Sequence, residues 1–285
     1  MIEIKDMSFG YKKAKLFSNL ELALEPGNIY GLLGKNGAGK TTLLKIICGL
    51  RLPQNGKCRV LGFDPAQRPA HLLEQICFVS EELHVPAISA DLFQRLYSPL
   101  YPRFSREAFR DYLREFELDT SKKLSELSYG QKKKFLLAFG LASCCRLLLL
   151  DEPTNGLDIP SKSQFRRLLA RAGGTDQVIL ISTHQVRDME NLIDPIIILD
   201  EGRIIFQQPL QEASRKLSAS LEREEPVDGS ALYAEKTLGG YVVVREKTGG
   251  EETQIDLETL FNAVTTSGDR VQALFASSAV QAKGV

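Results

Sequence analysis

Residues Asn28–Leu50 read N-I-Y-G-L-L-G-K-N-G-A-G-K-T-T-L-L-K-I-I-C-G-L and combine three patterns in succession. The apolar run Ile29–Leu33 is typical of a buried strand, and the apolar positions of Thr42–Leu50 recur at the spacing of a helix's inner face. Between them, Gly34–Thr41 matches the phosphate-binding loop G-x-x-x-x-G-K-[ST] in full. Strand, glycine-rich loop and helix in this order predict an α/β fold built around a P-loop.

The loop has the chemistry of a nucleoside triphosphate site. Glycines at positions 34, 37 and 39 allow the backbone to turn its N–H groups inward onto an anion. The loop opens into a helix N-terminus, where free N–H groups and the helix dipole favour negative charge. Lys40 is then placed to reach the β- and γ-phosphates, and the Thr41 hydroxyl to ligate Mg²⁺.

A second predicted strand ends in two adjacent acids. The apolar run Arg146–Leu150 is followed by Asp151, Glu152 and Pro153. This is the usual form of a Walker B strand, whose first acid holds Mg²⁺ and whose second takes a proton from an attacking water. The alternative is a surface turn with two solvated acids, but the P-loop independently predicts an acid-tipped parallel strand.

Polar side chains also follow two other predicted strands. Glu81 lies just after Ile76–Val79, and His184 just after Val178–Ser182. Ligand contacts in α/β proteins gather at the carboxyl ends of the strands, so both side chains are predicted to share an edge with Asp151. A lone histidine is more often structural, but the shared edge favours a hydrogen bond from His184 to a γ-phosphate.

Periodicity and turn signals predict the remaining elements. Residues 2–30 alternate as antiparallel strands do, and residues 89–145 change to the spacing of a helical insertion. Beyond about residue 213 the pattern weakens. The other predicted elements are a turn at 124–130, a helix at 131–142, a helix capped by Ser161 that ends at Gly173-Gly174, a hairpin of strands 196–199 and 204–206, a polar linker at 222–225, a strand at 241–244 and a helix at 255–263.

Two features have a structural and a functional interpretation. Tyr11, in F-G-Y-K-K, is a candidate for stacking on a base, but the local pattern favours a half-buried tyrosine at a strand end. Lys132, Lys133 and Lys134 could reinforce phosphate binding, but one helix turn of lysines is more often a solvated face.

Composition limits the classes of function. The 285 residues include 36 basic and 36 acidic ones, and this balance argues against binding nucleic acid through bulk electrostatics. No apolar run approaches the roughly 20 residues of a spanning helix, and Met1–Lys5 opens as an alternating strand rather than a signal peptide. The 5 cysteines form no C-x-x-C pair, which favours free thiols in a reducing cytosol. Cys144 and Cys145 are interpreted as small apolar residues before a core strand.

Four motifs occur in order: the P-loop, L-S-Y-G-Q at 127–131, L-L-L-L-D-E-P-T-N-G-L-D at 147–158 and S-T-H at 182–184. Together they resemble the ATP-binding cassette (ABC) family, over roughly residues 1–212. The resemblance implies an α/β P-loop NTPase core with a mixed sheet, an N-terminal antiparallel β-subdomain, a helical insertion at about 82–145, and a small α+β accessory domain at 213–285.

The resemblance assigns roles position by position and reverses the local interpretation of Tyr11, which would stack on adenine. Glu152 would be the general base, His184 the switch histidine on the γ-phosphate, and Asp158 the acid that crosses a dimer interface. Thr41, Asp151 and Glu81 would hold Mg²⁺. The residues placed around ATP are Tyr11, Gly34, Lys35, Asn36, Gly37, Ala38, Gly39, Lys40, Thr41 and Thr42, with Ser128 and Gly130 contributed by a second chain.

Two positions depart from the family pattern. Glu81 stands where the family usually has glutamine, with Glu82 as an alternative register, and Tyr129 replaces a glycine of the signature. The Tyr129 side chain is predicted to point away from nucleotide, because Ser128 and Gly130 are kept. Neither departure removes a group essential to hydrolysis, so an active ATPase is expected.

The resemblance therefore predicts an ABC transporter ATPase subunit that pairs with a second copy or a paralogous ABC subunit. A separate integral membrane permease would dock near Glu81–Ala90 and the helical insertion, which puts the chain at the cytoplasmic face of the membrane as a peripheral protein. One alternative is a soluble cassette protein of translation, repair or assembly, against which stand the single cassette, the lack of a long heptad run and the acidic tail. Another is a nucleotide sensor with little hydrolysis, supported only by Glu81.

Overall fold

A computed structural model describes residues 1–12, 14–226, 229–247, 249 and 255–281, with 276–281 as backbone only. The strands are β1 (Ile2–Tyr11), β2 (Ala14–Leu24), β3 (Asn28–Leu33), β4 (Asn55–Val60), β5 (Ile76–Val79), β6 (Leu147–Asp151), β7 (Val178–Thr183), β8 (Ile196–Asp200), β9 (Arg203–Gln208), β10 (Leu217–Glu222), β11 (Ala231–Thr237) and β12 (Gly240–Glu246). The α-helices are α1 (Lys40–Ile47), α2 (Ala70–Leu73), α3 (Ala90–Tyr97), α4 (Arg106–Glu115), α5 (Tyr129–Ala142), α6 (Ile159–Ala172), α7 (Leu210–Lys216), α8 (Leu257–Thr266) and α9 (Gly268–Gln281).

The central sheet has the strand order β5-β6-β7-β3-β8-β9. The strands from β5 to β8 are parallel, and β9 returns antiparallel to β8 as the predicted hairpin. All five residues of β6 are buried, as expected for a parallel strand covered on both faces. The mixed sheet is therefore confirmed, and the carboxyl ends of β3, β5, β6 and β7 meet at one edge.

A second sheet, β2-β1-β4, is antiparallel. It confirms the antiparallel strands predicted within residues 2–30 as far as Leu24, whereas residues 28–30 belong to the parallel strand β3. Its inward residues, such as Ile4 and Leu22, share one apolar core with Leu43 and Ile47 of α1 and with Leu180 of the central sheet. The helix that follows the P-loop is thus packed among side chains of both sheets, which holds its N-terminus rigidly at the sheet edge.

Several helix boundaries differ from the prediction because the caps lie elsewhere. Helix α1 begins at Lys40, and Gly49, at φ 73°, follows its end. Leu50, predicted on its inner face, lies beyond the helix and is 48% exposed. Helix α6 begins at Ile159, because Asp158 and not Ser161 is its N-cap.

The predicted helical insertion is present as α3, α4 and α5. Its core is a group of aromatic rings, Phe93, Phe109, Phe135 and Phe139, in edge-to-face pairs with centroids 5.1–5.7 Å apart. Helix α5 also packs on β5. It starts at Tyr129, inside the predicted turn, because Ser128 caps it.

The C-terminal part combines the antiparallel sheet β10-β12-β11 with α8 and α9. The linker predicted at 222–225 is wrong at its first residue, because Glu222 ends β10 and pairs with Arg245 of β12. Leu217 and Leu260 belong to the same apolar core as Ile198 of the central sheet. Helix α7 crosses the proposed boundary after residue 212, and the division into two domains stays a prediction.

Two predictions concern the chain as a whole. Across the described ranges, no helix combines the length and apolar character needed to cross a bilayer. The five cysteines are free, as predicted; four of them are buried and Cys144 is partly exposed.

Candidate active site

A cleft of ≈ 680 Å³ opens at the carboxyl edge of the central sheet. Segments that are distant in sequence line it, among them the end of β1, the P-loop, and the residues that follow β5, β6 and β7. The lining residues include Tyr11, Asn36, Gly37, Gly39, Lys40, Thr41, Thr42, Glu81, Glu152, Asn155 and His184. Glu81 and His184 thus reach the edge predicted for them, whereas Glu82, the alternative register, is exposed and outside the lining.

The P-loop backbone requires glycine at two positions. Gly37 and Gly39 have φ of 83° and 108°, which is costly for residues with a Cβ. Gly39 is the N-cap of α1 and supplies no side-chain cap, so the first N–H groups of the helix point into the cleft without a capping partner. This is the arrangement that binds phosphate.

Lys40 is buried and folds back across the loop. Its Nζ donates to the carbonyl oxygen of Gly34 at 2.7 Å and to that of Lys35 at 3.3 Å. It also lies 3.4 Å from Glu152 Oε1. The ammonium is therefore held at the centre of the cleft with its charge paired to the end of β6.

Asp151 and Thr41 form one cluster of oxygen atoms. The Thr41 hydroxyl donates to the Asp151 carboxylate, at 3.0 and 2.8 Å from its two oxygens. Ser182, which the sequence analysis missed, donates to Asp151 Oδ1 at 2.6 Å. Ser182 could have been identified from its position as the last residue of the predicted strand 178–182. The parallel register places it opposite Asp151.

The donor set fits Mg²⁺. Hydroxyl and carboxylate oxygens beside a phosphate loop are the ligands that Mg²⁺ uses, with substrate phosphates and water completing its octahedron. Among the residues with described side chains, no group of three or more His, Cys, Asp or Glu forms a metal cage, and a site shared with nucleotide phosphates needs none.

Glu152 is 4% exposed, and its carboxylate contacts Lys40 and, through both its ring and its main chain, His184. His184 Nδ1 lies 2.9 Å from Oε1, and the His184 N–H donates to Oε2 at 3.3 Å. A carboxylate oxygen accepts hydrogen bonds, so Nδ1 is the donor of this bond. The other ring nitrogen, Nε2, takes no part in the contact with Glu152, and the ring is partly exposed. Glu152 itself has φ 45°, a conformation that non-glycine residues adopt only when their surroundings enforce it.

The two departures from the family pattern contact each other. Tyr129 points away from the P-loop cleft: its hydroxyl donates to the Glu81 carbonyl oxygen at 3.1 Å, and its ring covers Gly156. The Glu81 carboxylate accepts from Asn155 Nδ2 at 2.9 Å, and Asn155 Oδ1 accepts from Gln185 at 3.0 Å. Asn155 and Gln185 were missed, although Asn155 stands in the quoted motif at 147–158.

Tyr11 lies at the end of β1 and is 45% exposed at the mouth of the cleft. Its hydroxyl shares a hydrogen bond of 3.1 Å with Thr42 Oγ1, and its ring packs edge-on against Phe9 at 5.0 Å. The structure thus brings Tyr11 to the P-loop helix, with much of its ring accessible to a planar group.

Ser128 and Gly130 lie at the N-terminus of α5. Ser128 Oγ accepts from the Gln131 N–H at 3.3 Å, and Gln131 Oε1 accepts from the Ser128 N–H at 2.9 Å, forming a capping box. Within the described part of the chain, neither Ser128 nor Gly130 lines the cleft. A Cβ on Gly130 would lie 3.0 Å from the carbonyl oxygen of Gly156, so the signature packs on the loop that leads to Asp158.

Asp158 caps α6 by accepting from the Ser161 N–H at 3.0 Å. The side-chain and backbone hydrogen bonds from Ser161 lower the pKa of this exposed carboxyl. Asp158 thus has a structural role in addition to the interface role implied by the resemblance, which stays a prediction.

The solvated face predicted for Lys132–Lys134 is wrong for Lys133, which is fully buried. Its Nζ donates to the Asp151 carbonyl oxygen at 3.3 Å. Lys134 Nζ instead donates to the Phe116 carbonyl oxygen at 2.9 Å. Positions 133 and 137 of helix α5 face inward. Three consecutive lysines in the sequence do not indicate which of them is buried.

Comparison with known proteins identifies the family. The family model described as "ABC transporter" matches residues 17–155. The chain is 30% identical to the ABC transporter ATP-binding protein NatA of Bacillus subtilis, over 84% of this chain and 99% of that protein. It is 34% identical to the Nod factor export ATP-binding protein I of Rhizobium etli, over 91% of this chain and 81% of that protein.

A solved structure of the ATP binding subunit of an ABC transporter superposes with a TM-score of 0.67. It is 27% identical and covers 75% of this chain and 92% of that one. Motifs, fold and relatives therefore agree: the chain belongs to the ABC transporter family, as one of its ATP-binding and ATP-hydrolysing subunits.

Proposed function

We propose that two such chains dimerise on ATP, that each ATP is hydrolysed between the P-loop of one chain and the signature of the other, and that this drives a separate membrane permease. The observation that carries the proposal is the position of Glu152, buried between Lys40 and His184 at the mouth of a P-loop.

In this proposal Glu152 takes the proton from a water that attacks the γ-phosphate. A carboxylate fixed by a histidine and a lysine is oriented before the reaction, which is where general-base catalysis gains its rate. Lys40 and the N–H groups of α1 stabilise the charge that spreads over the phosphate oxygens. Thr41 and Asp151 would hold Mg²⁺, which neutralises phosphate charge when bound.

The trans arrangement is supported by the different locations of the N-termini of α1 and α5. The α1 end opens into the cleft, whereas the α5 end lies on the loop that contains Gly156. Ser128 Oγ accepts a hydrogen bond from its own helix and keeps its O–H to donate. A second chain would thus present Ser128 and Gly130 to an ATP held by the first.

Glu152→Gln tests the base. Turnover is expected to fall on the order of 10³-fold, because a general base contributes about 10² to 10⁴-fold, while ATP binding persists and the ATP-bound dimer accumulates. ATPase rate, ATP affinity and light scattering measure the three quantities, with Glu201→Gln at an exposed turn as the control. Unchanged turnover would remove Glu152 from the role of base.

A mixing experiment tests the trans site. A Lys40→Met chain paired with a Ser128→Ala chain leaves one composite site intact if the sites form in trans, and none if they form within one chain. Turnover of the mixture above that of either variant alone supports the proposal. A mixture no more active than the better of the two variants excludes the trans arrangement.

The permease proposal is supported by an open apolar groove of ≈ 540 Å³ between the end of α1, β5 and the segment after α3. Among its lining residues, Leu50 and Leu100 are 48% and 56% exposed, and exposed apolar side chains that share one patch are typical of a protein-interaction site. In this proposal the chain binds the permease at the cytoplasmic face of the membrane. Affinity purification of the chain from detergent-solubilised membranes should therefore recover a multi-span membrane protein with it. Leu100→Glu should release it without changing ATP binding, and equal recovery with that variant would exclude the groove.

A further inference from the structure

Lys133 is a buried lysine that has no role in the proposed function. Its side chain is fully buried, and its one hydrogen bond among the described residues is to the main-chain oxygen of Asp151 at 3.3 Å. The Asp151 carboxylate is engaged by Thr41 and Ser182, whereas Lys133 binds the main chain of the same residue.

The acceptor of this bond belongs to the peptide unit that joins Asp151 to Glu152. The N–H of the same peptide donates to the Ser182 carbonyl oxygen at 3.0 Å and lies 3.2 Å from Ser182 Oγ. The peptide is thus held at its oxygen by α5 and at its N–H by β7. A peptide held at both ends cannot rotate without breaking one of these bonds.

The orientation of that peptide decides where the Glu152 side chain points. Glu152 has φ 45°, in the left-handed region that disfavours a residue with a Cβ. Such a conformation persists when the surroundings over-determine it. Rotation of the peptide toward an ordinary strand conformation would turn the carboxylate away from Lys40 and His184.

Burial makes the charge of Lys133 costly, and nearby acids offset only part of that cost. Burial lowers the pKa of Lys133 to about 8, against the opposing effect of the Asp151, Glu81 and Glu152 carboxylates. An apolar side chain of similar size, such as Met, would leave the Asp151 carbonyl oxygen buried without the donor that Lys133 supplies.

We propose that Lys133 is a positioning residue for Glu152, and that its hydrogen bond to the Asp151 carbonyl oxygen holds the peptide that aims the Glu152 carboxylate into the cleft. The proposal rests on the role of Glu152 as base. Lys133 lies three residues after Gly130 on the same helix, so the bond also links the signature end of α5 to the catalytic end of β6 within one chain.

The experiment compares two uncharged replacements of Lys133. Lys133→Gln keeps an N–H donor and Lys133→Met removes it. With Lys133→Met, kcat is expected to fall about 10- to 100-fold, the effect of a misplaced catalytic group, while the ATP dissociation constant stays within about twofold. Lys133→Gln is expected to keep most of the turnover. Lys134→Met is the control, because it removes a similar lysine-to-carbonyl bond on the same helix away from the cleft.

A second measurement separates Lys133 from the general base. In a Glu152→Gln background, Lys133→Met should cause no further loss in single-turnover rate, since Lys133 acts through Glu152. An additional loss there would overturn the proposal, as would equal losses for the Gln and Met variants or a Lys133→Met enzyme with normal kcat.

If Lys133→Met does not fold, the comparison of Lys133→Gln with wild type decides, and a 10-fold loss of kcat with Gln overturns the proposal. Normal turnover in Glu152→Gln itself would instead contradict the base.

Discussion

Two helix N-termini of this chain are suited to phosphate, and they are built differently. Helix α1 begins at Gly39 with no side-chain cap and opens into the cleft. Helix α5 begins at Ser128 with a complete capping box. The first terminus leaves its N–H groups to the ligand, whereas the second satisfies part of its own hydrogen bonding.

The two helix ends also differ in the side chains that surround them. The cleft at the α1 terminus is also lined by three side chains that follow β5, β6 and β7 of the same chain, namely Glu81, Glu152 and His184. The α5 helix is linked to that centre by two hydrogen bonds, from Tyr129 to the Glu81 carbonyl oxygen and from Lys133 to the Asp151 carbonyl oxygen. A single chain thus lines the cleft at the α1 terminus with its own side chains, whereas the proposed function assigns the α5 terminus to the ATP of a second chain.

The largest effect is expected at the α1 terminus. Lys40→Met removes a buried ammonium that pairs with Glu152 and that the proposed function places on the phosphates. ATP affinity should fall about 100-fold, as for loss of a charge-assisted bond of about 3 kcal/mol, and turnover should become undetectable. Isothermal titration and ATPase assays measure this. Lys45→Met, at the last turn of the same helix, should leave both unchanged, and equal ATP affinity in the Lys40 variant would contradict the assignment.

The α5 terminus should respond in turnover and not in ATP binding by the single chain. Ser128→Ala removes the cap, which costs about 1 kcal/mol of stability, and also a donor to the partner's ATP, which should lower turnover about 100-fold. Ser105→Ala is the matched control, because Ser105 caps α4 in the same way. It should lower the melting temperature similarly with normal turnover. A Ser128 variant whose only defect is stability would reduce the α5 terminus to a structural feature.

A third terminus, that of α6, should give the smallest effect. The pKa of Asp158 is lowered by its hydrogen bonds from Ser161, so its charge stabilises the fold above the ordinary value of 3.8 and the contribution is lost as pH falls through the lowered pKa. Asp158→Asn keeps a capping side chain without the charge. Urea midpoints should show the wild type slightly more stable at pH 7, by a margin that shrinks as the pH is lowered below 3.8. A difference that does not shrink there would show that the charge is not its source.

Much of the site was predictable because its residues sit at ends of strongly patterned segments. The strands ending at Leu33, Val79, Asp151 and Thr183 are apolar runs, and parallel strands bring their carboxyl ends to one edge. This reasoning places Lys40, Glu81, Glu152 and His184 together without any structure. Helix ends were less predictable, because Asp158 and Ser161 are both good caps and only the local geometry selects Asp158.

The sequence by itself determined the P-loop, because its glycines, its lysine and its threonine act within eight consecutive residues whose backbone conformation is local. The tertiary structure alone decided the contacts of Lys133, Ser182 and Tyr129. Each depends on which face of a helix or strand is turned inward and on which distant main-chain atom then lies within hydrogen-bonding reach. Three adjacent lysines look alike in sequence, and packing buries one of them against the peptide that orients the proposed base.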